Sequence, residues 1–437
     1  MTRLISALSQ AASLASLAML FPATIAGAAE AAGTDAKGDS MTYRQAKEFL
    51  AKHTKVIELT HGAARVAICP EYQGRVMTST CDGEDGRSLG WINRAFIEAG
   101  KPNPQFNNYG GEDRIWLSPE GGQFSLWFAP GAKQELANWY TPPAMNDGAF
   151  QVVASDANPV IDAPNRPAFC RMERAMQLTN AAKTEFGLVA SRTIRLLESG
   201  DFATCFGGEA QSALAEGKLH LVGFQSENSI TNRGAAMKKD GGLVSIWILG
   251  MMVSGPETVV IVPYRSGDES TLGPVVKGDY FGPVPPERLK ITPAAILFRG
   301  DSHYRSKIGV SQRRVKPIAG SIDFQAGVLT LVNFDMPADP ADHLYTNNAW
   351  EVPQAHPFVG DALNSYNDGP PGAGRAPLGA FYEVESLSPA AELAHGQSLA
   401  HHHRTFHIQG DLAALARLAK ITLGVDLDSV RKEMLGE

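Results

Sequence analysis

Phe381-Tyr-Glu-Val-Glu-Ser-Leu-Ser-Pro389 and, after a Gly-containing turn, Ser398-Leu-Ala-His-His-His-Arg-Thr-Phe-His407 decide how this chain is read. Both alternate with the two-residue period of a β-strand, in which successive side chains point to opposite faces. That period puts Glu383 and Glu385 on one face of the first segment. In the second it puts His401, His403, Thr405 and His407 on one face and His402, Arg404 and Phe406 on the other. If the two segments pair as a hairpin, two carboxylates meet two or three imidazoles. Such a cluster suits general acid–base catalysis, with a Glu as base and a His as acid. The His-x-His spacing also suits a metal ion. A solvated outer sheet face is the structural alternative.

Working outward, the same pattern recurs along most of the chain. Lys55–Leu59, Ala64–Cys69, Gly74–Thr80, Gln151–Ser155, Ala168–Leu178, Lys183–Leu197 and Lys218–Asn228 alternate or are β-branched. Leu243–Met252 is nearly continuous apolar, as expected of a strand buried on both faces. Thr258–Pro263, Ala295–Arg299, Lys307–Val310, Ser321–Phe324 and Val328–Phe334 follow, with Gly267–Pro286 and Asn364–Gly379 read as loops. Helix signals lie at the ends, apart from a short helical excursion over Ala95–Ala99. Thr42 and Gln45 form a capping box ahead of a helix to about His53, and Asp411 and Asp426 or Asp428 can cap two more near the C-terminus. Strands in such number, punctuated by turns, predict an all-β protein, a sandwich or barrel, with one large sandwich over 41–410 and a helical tail over 411–437.

Composition narrows the class. The 437 residues are 44% hydrophobic and 19% charged, with a net charge of −7 and no basic cluster, so nucleic acid is not an expected partner. Arg3, the apolar run Leu14–Ile25 and Ala26-Gly-Ala28 predict a signal peptide over 1–28, cleaved after Ala28, with a linker over 29–40. The expectation is a periplasmic or secreted chain without stable membrane insertion. Cys69, Cys81, Cys170 and Cys205 could pair in three ways or remain free thiols. There is no phosphate-binding loop, dinucleotide fingerprint or Gly-x-Ser-x-Gly elbow, and no cofactor is expected.

Other polar residues could line a cleft. Asn107-Asn-Tyr-Gly-Gly-Glu-Asp-Arg114 and the segment to Gly131 mix charges, aromatics and two Gly-Gly pairs. Asn107, Tyr109, Glu112, Arg114 and Glu120 are its candidates, with two strands joined by tight turns as the alternative. Glu227 and Asn228, the same-face set His303, Arg305 and Lys307, and the aromatics Trp139, Tyr140 and Trp350 add others. Sugar rings offer C–H faces to aromatics and hydroxyls to amides and carboxylates, so a carbohydrate is the expected ligand.

Phe381–Pro389 with the last strand, Gly110–Pro119 (Gly-Gly-Glu-x-x-x-Trp-x-x-Pro) and Ser229-Ile-Thr-Asn-Arg-Gly234 resemble the galactose mutarotase-like (aldose 1-epimerase) superfamily. Leu243–Met251, Tyr304–Gly309 and Gly360–Gly369 are similar to a secreted bacterial branch of it. The resemblance implies a β-supersandwich of two large antiparallel sheets, with a sugar held on a concave sheet. It maps the general base onto Glu385, with Glu383 as rival, and leaves Asn107, Glu112, Arg114 and Lys307 to orient hydroxyls. The family's His-x-Tyr-Phe-Asn-like segment has no counterpart, because Glu227–Asn232 contains no His. An acid would then come from His303, His401 or His403. The implied activity is aldose 1-epimerase-like isomerisation. The alternatives are a carbohydrate-binding protein without chemistry and a glycan lyase or hydrolase, with metal assistance through His401 and His403.

Overall fold

The alternating segments assemble, in the computed structural model, into three antiparallel sheets. Residues 41–156, 168–372 and 374–436 are described, and the expected signal peptide and linker lie outside them. The largest sheet has ten strands. In spatial order they are Leu289–Ile291, Ala295–Arg299, Thr258–Pro263, Ile318–Asp323, Val328–Phe334, Ser398–Gln409, His220–Asn232, Glu185–Leu197, Phe169–Thr179 and Gln151–Asp156. The second has five: Ser306–Ser311, Asp361–Asn367, Phe381–Leu387, Ser245–Val253 and Arg114–Ser118. Ile57–His61, Ala64–Cys69 and Arg75–Thr80 make a third, smaller sheet. This is an all-β sandwich with short helices at its ends.

The core follows the alternation. Ile246, Ile248 and Val384 of the five-stranded sheet and Val222, Phe224 and Ile230 of the ten-stranded sheet belong to one buried cluster. Phe406 and Ile408 face the other way, into a second cluster with Leu415, Leu418, Val430 and Phe202 of the flanking helices. The end helices are capped as their sequences predict. Thr42 and Gln45 bond reciprocally, and Asp411 accepts from the amides of Ala413 and Ala414. Two helices, Ser199–Phe206 and Gly208–Glu216, fall in a segment with no strand or helix expectation. The first starts at a reciprocal Glu198–Asp201 box, a cap signal in which an acidic residue replaces the usual Ser or Thr. Among the described residues no helix is long and apolar enough to cross a membrane, and all four cysteines are free thiols.

Two sequence expectations are corrected. The Gly- and Pro-rich pattern of Asn364–Gly379 predicts a loop, yet Asp361–Asn367 is a fully buried strand inside the five-stranded sheet. Its Asn and Asp content hid the alternation of Asn364 and Tyr366. The expected hairpin is also absent. Phe381–Leu387 pairs with Asp361–Asn367 and Ser245–Val253, whereas Ser398–Gln409 pairs with Val328–Phe334 and His220–Asn232. Each strand has both edges occupied by other partners, so the intervening turn carries the chain from one sheet to the other.

Candidate functional site

That crossing separates the carboxylates from the imidazoles. Ser386, on the sandwich-facing side of its strand, has its hydroxyl 2.8 Å from both His401 Nε2 and His403 Nδ1. Burial pushes both imidazoles down to about 3, which keeps them neutral. Glu383 and Glu385 point from the opposite side of the same strand. His401 and His403 therefore sit between the sheets and cannot share a ligand with Glu385. Among the described residues no group of three or more His, Cys, Asp or Glu side chains is disposed to hold a metal ion.

The outer face of the five-stranded sheet carries the remaining candidates in two cross-strand rows. Arg114, Leu249, Glu385, Asn364 and Gly309 are paired in register across all five strands. Met251, Glu383, Tyr366 and Lys307 form the next row. Directly opposed residues of an antiparallel pair share a face, so the rows bring side chains from distant parts of the chain together. Arg114 Nη2 donates to Glu383 Oε1 at 3.0 Å, and its guanidinium lies 4.3 Å from the Trp116 ring. Lys307 Nζ and Trp247 Nε1 both donate to Glu385 Oε2, at 3.1 and 2.9 Å.

The surrounding loops close over this floor. Trp139 Nε1 donates to Glu120 Oε1 at 2.8 Å, and the Trp350 indole reaches the same carboxylate. Phe106 packs edge-on against Trp116 and Trp139. The Tyr280 hydroxyl bonds Asp361, which also pairs with Lys277 at 2.9 Å. Gly121 makes one of these contacts possible, because a Cβ there would sit 2.2 Å from the Ala349 carbonyl oxygen. Its bare backbone lets the Glu120 loop lie against the segment leading to Trp350.

Electrostatics divides the carboxylates. Burial, with Glu385 nearby, outweighs Arg114 and pushes Glu383 up to about 7. Burial likewise raises Glu120. Burial pulls Lys307 down, but Glu385, Glu120 and Glu383 together outweigh it and the ammonium is held above its usual range. Three buried polar atoms along the first row have no hydrogen-bond partner among the described residues: Arg114 Nε, Glu385 Oε1 and Asn364 Oδ1. Unpartnered buried polar atoms are few in native proteins, and each calls for an explanation such as a bound water, an ion or a catalytic role.

The other sequence candidates lie elsewhere. Glu112 bonds Ser79 at 3.0 Å and His407 at 2.6 Å, between the sheets. Asn228 is also interior, bonded to Arg192, Ser226 and the His401 carbonyl. Glu227 faces the helix-covered side, beside Gln225 and Arg195. Asn107 ties its own loop to Asn103 and Asn146, and Tyr109 stacks on Tyr72 at 4.1 Å. His303 is 70% exposed beside Asp301. Arg114 pairs with Glu383 rather than with Glu112 or Asp113, and Asp113 pairs with Arg192. Conversely, Trp116, Trp247, Tyr280, Asp361 and Tyr366 belong to the site and were not among the candidates. Trp247 was hidden in an apolar run, where polar alternation gives no signal.

A family model described as a family of unknown function (DUF6786) matches residues 41–434. No curated protein matches. Similar solved structures include the Slr1438 protein of Synechocystis sp. PCC 6803, at 12% identity over 82% of this chain and 96% of that one, with a TM-score of 0.45. An Escherichia coli K12 protein provisionally assigned as an aldose 1-epimerase is 11% identical over 82% and 99%, with a TM-score of 0.45. The galactose 1-epimerase of Lactobacillus acidophilus NCFM is 9% identical over 81% and 94%, with a TM-score of 0.40.

Proposed function

The chain belongs to DUF6786, a family of unknown function, and we propose that it is a carbohydrate-active protein whose Glu383 and Glu385 form an acid–base pair at a sugar's anomeric centre. The observation that carries this reading is the row Arg114–Glu385–Asn364, whose three unpartnered polar atoms face one way from the sheet. Donor, acceptor and amide in line suit neighbouring hydroxyls. The indoles of Trp139 and Trp350 beside Glu120 supply apolar faces for ring C–H groups. The leader pattern at the N-terminus supports export, and with it a periplasmic or secreted location.

In aldose 1-epimerisation a base removes the proton of the anomeric hydroxyl while an acid protonates the ring oxygen. The ring opens, the aldehyde rotates, and reclosure reverses both transfers. Glu385, with one oxygen bonded to Lys307 and Trp247 and the other unpartnered, is the base of this scheme. Glu383, raised to about 7, retains its proton in about half of the molecules at neutral pH and is the acid. Polarimetry on freshly dissolved α-glucose and α-galactose tests the reading, and mutarotation no faster than in buffer would sink it. A second reading, sugar binding without chemistry, is favoured by one observation: both carboxylates are engaged by cations and the Glu385 side chain is fully buried. Binding in calorimetry without accelerated mutarotation would select it.

Two further outcomes are expected. Trp139→Ala, which removes an indole face and the N–H held by Glu120, weakens sugar binding about tenfold in calorimetry; an unchanged Kd would remove the aromatic wall from the site. The second concerns pH. Glu383 titrates near 4.5 when unfolded and near 7 when folded. Between those values the folded chain holds a proton that the unfolded chain has lost, so this group makes stability fall as pH rises through the window. Melting temperatures of wild type and Glu383→Gln, compared at pH 4.5 and 7.5, should therefore converge at the acidic end, with the variant gaining relative to wild type at the alkaline end. A constant difference across the window would contradict the raised value.

A further inference from the structure

The proposed sugar site extends beyond the Glu383–Glu385 pair, and its extension is cationic. Arg305 precedes Lys307 by two residues, so the strand period carries its side chain toward the same face, about 7 Å further along. It is half-buried, and its surroundings fix it without a direct ion pair, although the Asp368 carboxylate lies close enough to feel its charge. Its Nε donates to the Tyr366 hydroxyl at 3.2 Å, and that hydroxyl donates to Asp368 at 2.7 Å. Its guanidinium carbon lies 3.8 Å from the centroid of Phe281, a ring 44% exposed. Tyr366 is itself the cross-strand neighbour of both Lys307 and Glu383, which ties Arg305 to the acid–base pair through one shared side chain.

Arg305 differs from the other cations of this face in one respect. Arg114 pairs with Glu383, Lys307 with Glu385 and Lys277 with Asp361. The Arg305 terminal nitrogens make no ion pair with a carboxylate among the described residues, and they are not among the buried unpartnered atoms, so water reaches them. Stacking on Phe281 and the Tyr366 bond hold the fork in one orientation. A planar, pre-oriented guanidinium with both terminal amines open suits two-point recognition of an oxyanion. The two-residue offset from Lys307 is of the order of a hexose ring with its C6 substituent.

We infer that Arg305, stacked on Phe281 beside Tyr366, forms a subsite for an anionic substituent, so that the ligand is an acidic sugar bearing a carboxylate or phosphate group. This rests on the carbohydrate reading above. Such a contact adds a charge-assisted hydrogen-bonded pair that a neutral sugar cannot make, equivalent to about ten- to a hundredfold in affinity.

Calorimetry at fixed ionic strength with galactose, galacturonate, glucose, glucuronate and glucose 6-phosphate tests it, on wild type, Arg305→Gln and Arg305→Lys. The expected result is at least tenfold tighter binding of an acidic sugar than of its neutral parent in wild type. That ratio should fall to near one in Arg305→Gln and be partly retained in Arg305→Lys. Preference for the uronates or for the phosphate identifies the group. Equal affinity for neutral and acidic sugars, or a preference that survives Arg305→Gln, overturns the inference and leaves the carbohydrate reading standing. Absence of binding by every sugar overturns both.

Discussion

Glu385→Gln is expected to lower the rate of mutarotation by about 10²–10⁴-fold, the range typical of a lost general acid or base. The amide still accepts from Trp247 and has nearly the same shape, but it cannot take a proton from an anomeric hydroxyl. Lys307 keeps the Glu120 carboxylate as a nearby counter-charge, so the fold should persist, as far-UV circular dichroism would check. Glu383→Gln should differ in kind. Wild-type rate is expected to fall above about pH 7 as Glu383 loses its proton, and in Glu383→Gln this pH limb should disappear along with most of the activity. His403→Gln should leave the pH profile unchanged, because His403 faces the sandwich interior through Ser386. Wild-type turnover by Glu385→Gln, with a pH profile governed by His403, would reverse these assignments.

Arg192→Met should be the most destabilising single substitution of the interior polar network, by about 3–5 kcal/mol in denaturant unfolding. Arg192 pairs with Asp113, and both side chains are fully buried. Asp113 also accepts from Ser226 at 2.8 Å. Removing the guanidinium leaves a carboxylate with one hydroxyl in place of a counter-charge, whereas removing both charges leaves neither stranded. The double variant Asp113→Asn/Arg192→Met should therefore be less unstable than the sum of the two singles. Additive losses, or a cost under about 1 kcal/mol for Arg192→Met, would show that the pair does not act as a buried unit. The network matters for the site because Asp113 immediately precedes Arg114: fixing one to the ten-stranded sheet through Arg192 orients the other toward Glu383.

The sequence alone determined the fold class, because a two-residue period is a local property. It also determined that Glu383 and Glu385 share a face, since the pair lies within one strand and needs no partner to be recognised. Caps were equally legible, as Thr42–Gln45 and Asp411 satisfy amides only a few residues away. What the tertiary structure decided was which faces meet. Arg114 reaches Glu383 and Glu112 reaches His407 across nearly three hundred residues. Nothing in the local pattern distinguishes a strand that returns as a hairpin from one that crosses to the opposite sheet. The choice is made by which apolar faces bury each other, Val384 against the sandwich core and Phe406 against the helices. That choice turned His401 and His403 from expected catalysts into interior groups. The same choice gathered Trp116, Trp247, Tyr280 and Tyr366 around a pair of carboxylates that the strand period had already set side by side.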